Sequence, residues 1–227
     1  MKLKHILVLT TFLTAGSAVT YAATACVNGD VLSNYIALGS TGCEIGDKIF
    51  ANFSYSGTGS DPASSSVQVG IDDKTNIDQF GVQLQSDTVV WTSGFTLDYT
   101  VSIVQADCAT LYGAGDTCTM IGAQGAFQGA FAPNTATMTD VLTPGGTISL
   151  NDLTTGNNSN QISFAGITST SVVITGAGLD ANDPIDGFGL DVYQHVTSPV
   201  PEPATLGLVG GALLGLGLLR RKGIVRR

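Results

Sequence analysis

Four oxygen-bearing side chains lie within seven residues near the end of the chain and could hold a calcium ion. They are Asp180, Asn182, Asp183 and Asp186. Calcium takes six to eight oxygen ligands, which loops between strands often supply. Because the same residue types form ordinary turns, calcium is a hypothesis here, and thermal melting with millimolar calcium and with a chelator tests it. A second stretch, residues 72–78, is similar but contains a lysine.

The residues for hydrolytic catalysis are sparse. An activated nucleophile or a catalytic metal usually recruits histidine, and the chain has two, His5 and His195. His195 follows the alternation of the last predicted strand, so we expect it to be exposed. Carboxylates such as Asp72 and Asp73 could in principle cut glycosidic bonds, but adjacent strand residues point to opposite faces. We therefore expect no enzymatic activity and no cofactor besides the possible calcium.

Aromatic residues would mark a carbohydrate-binding surface. Tyr55 and Tyr99 are in phase with apolar neighbours and are expected in the core, whereas Trp91, next to Thr92, could be half exposed. These positions leave polysaccharide binding open as an alternative function.

Apolar and polar residues alternate with period two between residues 26 and 198, which is typical of half-buried strands. The longest run places one apolar face on Phe95, Leu97, Tyr99, Val101 and Ile103. An earlier run places Ile49, Ala51, Phe53 and Tyr55 on one face and Phe50 on the other. Further runs are residues 67–71, 80–84, 148–150, 162–164, 172–174 and 188–192. Residues 31–38 could form one or two helical turns.

Short strands separated by Gly-, Asn-, Asp- and Ser-rich turns favour two packed antiparallel sheets. We predict that residues 26–198 form a single all-β domain, an antiparallel and jelly-roll-like β-sandwich. The pattern does not give the strand order.

The first 25 residues are typical of a secretory signal peptide. Lys2 and Lys4 precede a short apolar core, and Ala23 and Ala25 fit the small-x-small cleavage rule. The apolar core is too short to span a bilayer of about 30 Å. The sequence therefore predicts export of the domain that follows, which we call the ectodomain.

All four cysteines lie in the exported part: Cys26, Cys43, Cys108 and Cys118. An even number in an oxidising compartment favours disulfides. Three pairings are possible, and we predict Cys26–Cys43 with Cys108–Cys118 because these pairs close the shortest loops. Neither pair has the C-x-x-C spacing of a zinc site or a redox motif.

The ectodomain is strongly acidic. Between residues 26 and 198, Lys48 and Lys74 are the only lysine or arginine residues against 17 acidic ones, a net charge of −15 with histidine neutral, whereas the whole chain carries −9. Such a surface repels nucleic acid and anionic lipid headgroups. Nucleic acid is therefore excluded as a partner.

Residues 199–227 form a separate unit. The tripeptide Pro201-Glu202-Pro203 precedes an unbroken apolar run, residues 204–219, and the basic cluster Arg220-Arg221-Lys222 follows it. As a helix the run would be about 24 Å long, slightly short of a bilayer, and snorkelling arginines can make up the difference. The run is predicted to be a transmembrane helix, with the basic cluster as a stop-transfer signal that leaves the ectodomain on the far side.

The order of these three parts resembles a PEP-CTERM sorting signal, over about the last 28 residues. The resemblance implies a Gram-negative bacterium that produces exopolysaccharide. It also implies that a membrane-embedded exosortase recognises Pro201, Glu202 and Pro203 and removes the tail. Before this removal the protein would be an inner-membrane intermediate, and afterwards it would reach the cell surface or the medium. Members of this class are often associated with biofilm matrix.

A second resemblance covers the start of the ectodomain. Tyr35 to Ser40, and the run Gly42-Cys43-Glu44-Ile45-Gly46-Asp47-Lys48, are similar to a segment of uncharacterised PEP-CTERM proteins in which a turn leads into an aromatic strand. No activity comes with this resemblance.

Together these observations predict an exported surface or matrix protein with a structural or matrix-associated ectodomain. A secreted polysaccharide-binding module is the alternative, and a glycan-active enzyme is less favoured.

Replacing Pro201, Glu202 and Pro203 together with alanine tests the sorting interpretation. Two prolines hold the backbone extended before the helix and would present Glu202 to a processing enzyme. We expect the substituted protein to stay at full length in the inner membrane, whereas the parent loses its tail and reaches the surface or the medium. Fractionation of the native host with an antibody to the ectodomain measures this. Equal processing of both forms would leave an ordinary single-span membrane protein.

Overall fold

The computed structural model describes residues 23–74, 78–87, 89–129, 136–151, 159–179, 181, 184–199 and 213. Within these residues the protein is all-β, with two sheets and two short helices. The helices are α1 (Leu32–Ala37) and α2 (Gln105–Leu111). The strands are β1 (Thr24–Ala25), β2 (Asp30–Val31), β3 (Cys43–Ile45), β4 (Lys48–Gly57), β5 (Gln68–Lys74), β6 (Gln79–Gln85), β7 (Phe95–Ile103), β8 (Thr117–Gly129), β9 (Thr137–Thr143), β10 (Gly146–Asn151), β11 (Ser159–Ile167), β12 (Ser169–Ala177) and β13 (Ile185–Thr197).

The strands form two sheets that pack face to face. The seven-stranded sheet has the order β1-β3-β4-β7-β12-β9-β10, and the six-stranded sheet has the order β11-β8-β13-β6-β5-β2. The described strand pairs are antiparallel except β1–β3, which is parallel. The predicted β-sandwich is confirmed, and the sequence pattern could not have supplied this order.

One continuous apolar core fills the space between the sheets. Phe95 on β7 and Phe188 on β13 stack with ring centroids 4.4 Å apart, and this contact joins the two sheets. Trp91 packs edge-on against Phe188 at 5.1 Å. The indole N–H of Trp91 donates to the Tyr55 hydroxyl at 2.8 Å, so the polar atom of this large side chain is satisfied inside the protein.

The half-exposed position suggested for Trp91 is therefore wrong: its side chain is fully buried. A backbone bridge pairs Trp91 with Ile185 at the start of β13. This bridge holds the segment between β6 and β7 against β13, so that the Trp91 side chain points into the core. Trp91 thus belongs to the core and offers no surface for stacking a ligand.

Strand β4 departs from the predicted alternation at Asn52. Asn52 adopts φ 57°, and the register with β7 shifts between Ala51 and Ser54. Such a bulge inserts a residue and changes which face the following side chains occupy. Phe50 and Phe53 are consequently both buried, whereas strict alternation had placed them on opposite faces.

Both predicted disulfides are confirmed. Cys26 bonds to Cys43, which ties the segment after β1 to β3, and Cys108 bonds to Cys118, which ties α2 to β8. Each closed loop typically contributes about 2–4 kcal/mol, mainly by constraining the unfolded chain.

The two ends of the chain are not covered by this description. The signal peptide up to residue 22, the sorting tripeptide, the basic cluster and the predicted helix at residues 204–219 lie outside the described residues, except for Leu213. In the part of the chain that is described, no helix is long and apolar enough to cross a membrane.

A buried carboxyl group lies in the middle of the core. Asp140 on β9 is fully buried between Ile148 and Ile174, its partners on the neighbouring strands. Among the described residues, neither of its carboxyl oxygens has a hydrogen-bond partner. The group occupies the space that a side chain at Gly125 in the facing sheet would need. Burial raises the pKa of Asp140 to about 8, because an unpaired charge in an apolar core is costly.

Replacing Asp140 with asparagine should therefore change how stability depends on pH. The folded protein holds the Asp140 proton up to about pH 8, whereas the unfolded chain releases it near pH 4. The parent thus loses stability between these values, by about 1.4 kcal/mol for each pKa unit. We expect Asp140→Asn to match the parent near pH 3 and to exceed it by roughly 2–5 kcal/mol at pH 8. Urea denaturation across this range measures the difference, and a difference that does not vary with pH would contradict the prediction.

Candidate functional site

Glutamine recurs on the outer face of the six-stranded sheet. On β6, Phe80, Val82 and Leu84 face the core, so the intervening glutamines point the other way. Neighbouring strands add more glutamines in register, since Gln68 pairs with Gln85 and Gln161 with Gln124. Among the residues whose side chains are described, the glutamines on this face are Gln68, Gln79, Gln83, Gln85, Gln124 and Gln161.

A groove of about 200 Å³ runs along β13 on this face. Its floor is Gly187 and Gly189, which pair with Gln85 and Gln83 of β6 on one side. On the other side Gly189 pairs with Ala126 of β8, and Gln124 lies two residues before Ala126 on the same strand. Side chains on β6 and β8 therefore project beyond the two glycines of β13, which have no side chains. This difference in height forms the groove.

Glycine is required on this floor because the neighbouring strand is close. A side chain at Gly189 would begin 2.7 Å from the carbonyl oxygen of Val82 and 2.9 Å from the Gln83 side chain. At Gly187 it would begin 2.9 Å from the carbonyl oxygen of Leu84. Any larger residue would displace the rim and fill the groove.

Two carboxyl groups close one end of the groove. Asp72 on β5 and Asp191 on β13 both pair with Gly81 of the strand between them. The Asp191 carboxyl lies where a side chain at Gly81 would be, so glycine lets the two acids lean towards each other. Lys74 donates to Asp72 Oδ2 at 2.5 Å, and Gln79 Nε2 donates to Asp191 Oδ2 at 2.5 Å.

The environment of Asp191 favours its protonated form. Burial and the neighbouring Asp72 carboxylate raise the pKa of Asp191 to about 6, although Gln79 and Lys74 act in the opposite direction. Asp191 Oδ1 has no donor in the described structure. A proton on Asp191 can instead be shared with Asp72 through a carboxyl–carboxylate hydrogen bond. Below about pH 6 Asp191 keeps its proton beside the Asp72 carboxylate and the ammonium of Lys74, and above that pH it ionises as well.

Tyr193 borders the same end of the groove. Its ring lies against the backbone of Gly122 on β8, where a side chain would begin 3.5 Å from Cδ2. Its hydroxyl donates to Gln124 Oε1. This bond fixes the Gln124 carboxamide and leaves its N–H groups as donors at the groove.

The groove is suited to binding a neutral, hydroxylated ligand. Each carboxamide offers a donor pair and an acceptor in one plane, which matches the hydroxyl groups of a polyol. Catalysis of glycoside hydrolysis by Asp72 and Asp191 does not fit, because their carboxyls lie within hydrogen-bond reach of each other. Glycosidase carboxyls stand about 5–5.5 Å or 6.5–9.5 Å apart.

A metal centre finds little support among the described residues. The one group of three potential ligands that the described part of the chain contains is Asp47, Cys108 and Cys118, and its two cysteines are bonded to each other. Of the calcium residues expected from sequence, Asp180, Asn182 and Asp183 lie outside the described residues. Asp186 is exposed as the second residue of β13. Calcium there stays a hypothesis.

Sequence reasoning placed His195 correctly as an exposed residue of β13, but it missed the groove. The signal was present in the recurrence of glutamine at positions 79, 83 and 85, and in Gly187 and Gly189 at alternate positions. It could not be used without the strand order, which brings β5, β6, β13 and β8 together.

Fold and site together define a disulfide-bonded β-sandwich with a polar groove on one sheet face. A solved structure, TmCBM61 in complex with beta-1,4-galactotriose, is similar at 8% sequence identity and a TM-score of 0.29. The match covers 76% of this chain and 100% of that chain. At this level the likeness carries no argument. No curated protein matches the chain in sequence.

Residues 199–222 match the family model described as the PEP-CTERM protein-sorting motif. The chain therefore carries a PEP-CTERM sorting motif, as its tail indicated. The motif indicates an exported protein that an exosortase sorts to the surface of a Gram-negative bacterium.

Substitutions at the acidic end of the groove should move the pKa of Asp191 in opposite directions. In Asp72→Asn the neighbouring negative charge is lost while burial remains, so we expect the pKa of Asp191 to fall from about 6 by about one unit. In Lys74→Gln a positive charge is lost, so the pKa should rise. Carboxyl-carbon NMR titration of the ectodomain measures both. Shifts of the same sign in the two variants would show that Asp72 and Lys74 do not act on Asp191 through their charges.

Proposed function

We propose that this protein is a non-enzymatic component of the cell surface or extracellular matrix, and that its ectodomain attaches to neutral polysaccharide through the groove along β13. The observation that carries the proposal is the set of carboxamides from β6 and β8 that rises on both sides of the floor formed by Gly187 and Gly189. This proposal joins the matrix role expected from sequence with the polysaccharide-binding alternative.

The shape of the groove supports a polymer as its ligand. It lies open on a sheet face and runs along a strand, so a chain molecule can lie in it without an end being recognised. Because Gly187 and Gly189 have no side chains, the ligand can approach the backbone of β13 closely. Carboxamides at Gln83, Gln85 and Gln124 then flank it from two sides.

The charge of the ectodomain supports a neutral ligand. Two lysines stand against 17 acidic residues between residues 26 and 198, and the groove itself contains Asp72 and Asp191. An anionic polysaccharide would be repelled by this surface, more strongly at low salt. Hydrogen bonding to hydroxyl groups carries no such penalty.

The tail supports delivery of the ectodomain to the cell surface or the medium, where polysaccharide occurs. Under this proposal the apolar run holds the protein in the inner membrane until the exosortase removes it, and the ectodomain then reaches the surface or the medium. Binding to matrix polysaccharide would retain the released protein near the cell. The same binding gives the matrix a protein component with no catalytic step.

Binding of the mature protein to neutral polysaccharides, measured on a glycan array and by affinity electrophoresis, tests the proposal. In the double variant Gln83→Ala/Gln85→Ala we expect affinity to fall roughly tenfold or more, since each lost hydrogen bond is worth about 0.5–1.5 kcal/mol. The matched control is Ser171→Ala/Thr175→Ala, which removes exposed polar groups from the outer face of the seven-stranded sheet and should bind like the parent.

Two results would contradict the proposal. One is that the parent binds none of the neutral polysaccharides tested. The other is that the groove variant and the control variant lose affinity equally. Release of reducing sugar ends from a bound polysaccharide would instead show an enzyme and overturn the non-enzymatic part.

A further inference from the structure

A lysine, a carboxylate and a carboxamide meet in the interior, far in sequence from one another. The side chain of Lys48 is fully buried, and its Nζ donates to Asp47 Oδ1 at 2.6 Å and to Gln194 Oε1. Asp47 is fully buried and Gln194 is 5% exposed. This cluster, Asp47, Lys48 and Gln194, takes no part in the groove.

A tight hairpin holds Asp47 and Lys48 in place. Gly46 and Asp47 form the two-residue turn between β3 and β4, and Gly46 has φ 63°, as hairpin turns with glycine first require. The carbonyl of Asp47 accepts from the Val104 N–H at 2.8 Å. The amine of Lys48 therefore has a fixed position at the first residue of β4.

The surroundings of the amine are apolar. Lys48 Nζ lies 3.6 Å from the centroid of the Phe80 ring, and Phe80 also covers Gly46. Burial lowers the pKa of Lys48, although Asp47 acts in the opposite direction. A desolvated lysine next to a carboxylate can give up its proton and become a nucleophile.

The carboxamide of Gln194 is held against the amine of Lys48. Its Oε1 faces the amine of Lys48, and its Nε2 lies 3.0 Å from Cys118 Sγ. The backbone N–H of Gln194 donates to the Asp78 carbonyl at 2.9 Å, which fixes the base of the side chain. The amide carbon next to Oε1 is consequently held beside Nζ.

Asp47 has a free oxygen for proton transfer. Its Oδ1 contacts the amine, while its Oδ2 has no hydrogen-bond partner among the described residues. A buried carboxyl with one bonded and one free oxygen can take a proton on one side and give it up on the other.

We propose that Lys48 and Gln194 join in an intramolecular isopeptide bond, with Asp47 as the catalytic proton carrier. The ammonium of Lys48 passes its proton to Asp47, and the neutral amine attacks the side-chain carbonyl carbon of Gln194. A bond forms between that carbon and Nζ. The bond from the carbon to Nε2 breaks after Asp47 delivers the proton to Nε2, and ammonia leaves. Asp47 is then a carboxylate again. It accepts the second proton that the attacking nitrogen loses as the amide forms.

The atoms balance without an oxidant, a cofactor or a second substrate. The product is an amide between two side chains and one molecule of ammonia. Preorganisation supplies the rate, because well-oriented groups inside one molecule react as if at very high concentration. The bond would link β4 of the seven-stranded sheet to β13 of the six-stranded sheet.

Trypsin reports this bond directly. Lys48 and Lys74 are the only lysine or arginine residues between residues 26 and 198, and trypsin does not cut after an acylated lysine. After reduction, denaturation and complete digestion, the mature protein from its native host should therefore stay one covalent species. It is cut after Lys74 but remains joined through Lys48 and Gln194. Its intact mass before digestion should be lower than the sequence mass by one ammonia molecule.

Two variants give the matched controls. Lys48→Arg keeps the charge and the trypsin site but has no nucleophilic amine, and Asp47→Asn keeps the lysine and the glutamine but cannot carry the proton. Both should separate completely into the fragments expected from the sequence and show no loss of ammonia. Circular dichroism and thermal melting identify the variant that remains folded, and one folded variant suffices.

The parent protein alone can overturn the proposal. Release of free residues 49–74 from the reduced parent, together with an intact mass equal to the sequence mass, would show that Lys48 is unmodified. A branched species that persists in folded Asp47→Asn would remove Asp47 from the reaction while keeping the bond.

Discussion

Burial of the inner faces of the two sheets is the constraint on which the rest of the molecule depends. The described helices have six and seven residues, too few to cover a sheet, so each sheet must cover the other. The two sheets meet at the stacked rings of Phe95 and Phe188, and Trp91 packs against both rings. Most polar side chains then lie on the outer faces, a few such as Lys48 are buried with partners, and the Asp140 carboxyl is buried without a hydrogen-bond partner among the described residues.

The two outer faces differ in chemistry, although both are polar. On the seven-stranded sheet, a row of hydroxyls crosses five strands in register: Ser56, Thr96, Thr175, Thr139 and Ser149. β-Branched threonine is favoured in strands, and its short side chain leaves the sheet surface even. On the six-stranded sheet, long glutamine side chains lie beside glycines, so the surface is uneven. The difference between short and long polar side chains, more than any difference in charge, decides which face has a groove.

Much of the fold could be predicted from sequence because alternation reports burial directly. The run Phe95–Ile103 became β7 with the same bounds. Strand β8 was not predicted, because two consecutive core-facing positions in its middle are the small residues Ala123 and Gly125, and small residues give the alternation little contrast. Phe50 was misplaced because a bulge leaves no mark in an alternation pattern. The groove and the buried cluster around Lys48 depend on partners more than a hundred residues apart, such as Gln79 with Asp191 and Lys48 with Gln194, and no local pattern contains that information.

The place of β13 in the six-stranded sheet bears on when the protein can fold. It is the last strand of the described residues, yet it lies between β8 and β6 at the centre of its sheet. The core therefore cannot close until residue 197 has emerged on the far side of the membrane, since earlier strands lack their central neighbour. Long-range pairing of this kind is also slow. The chain would thus cross the membrane in an open state, and the sandwich would assemble only after export.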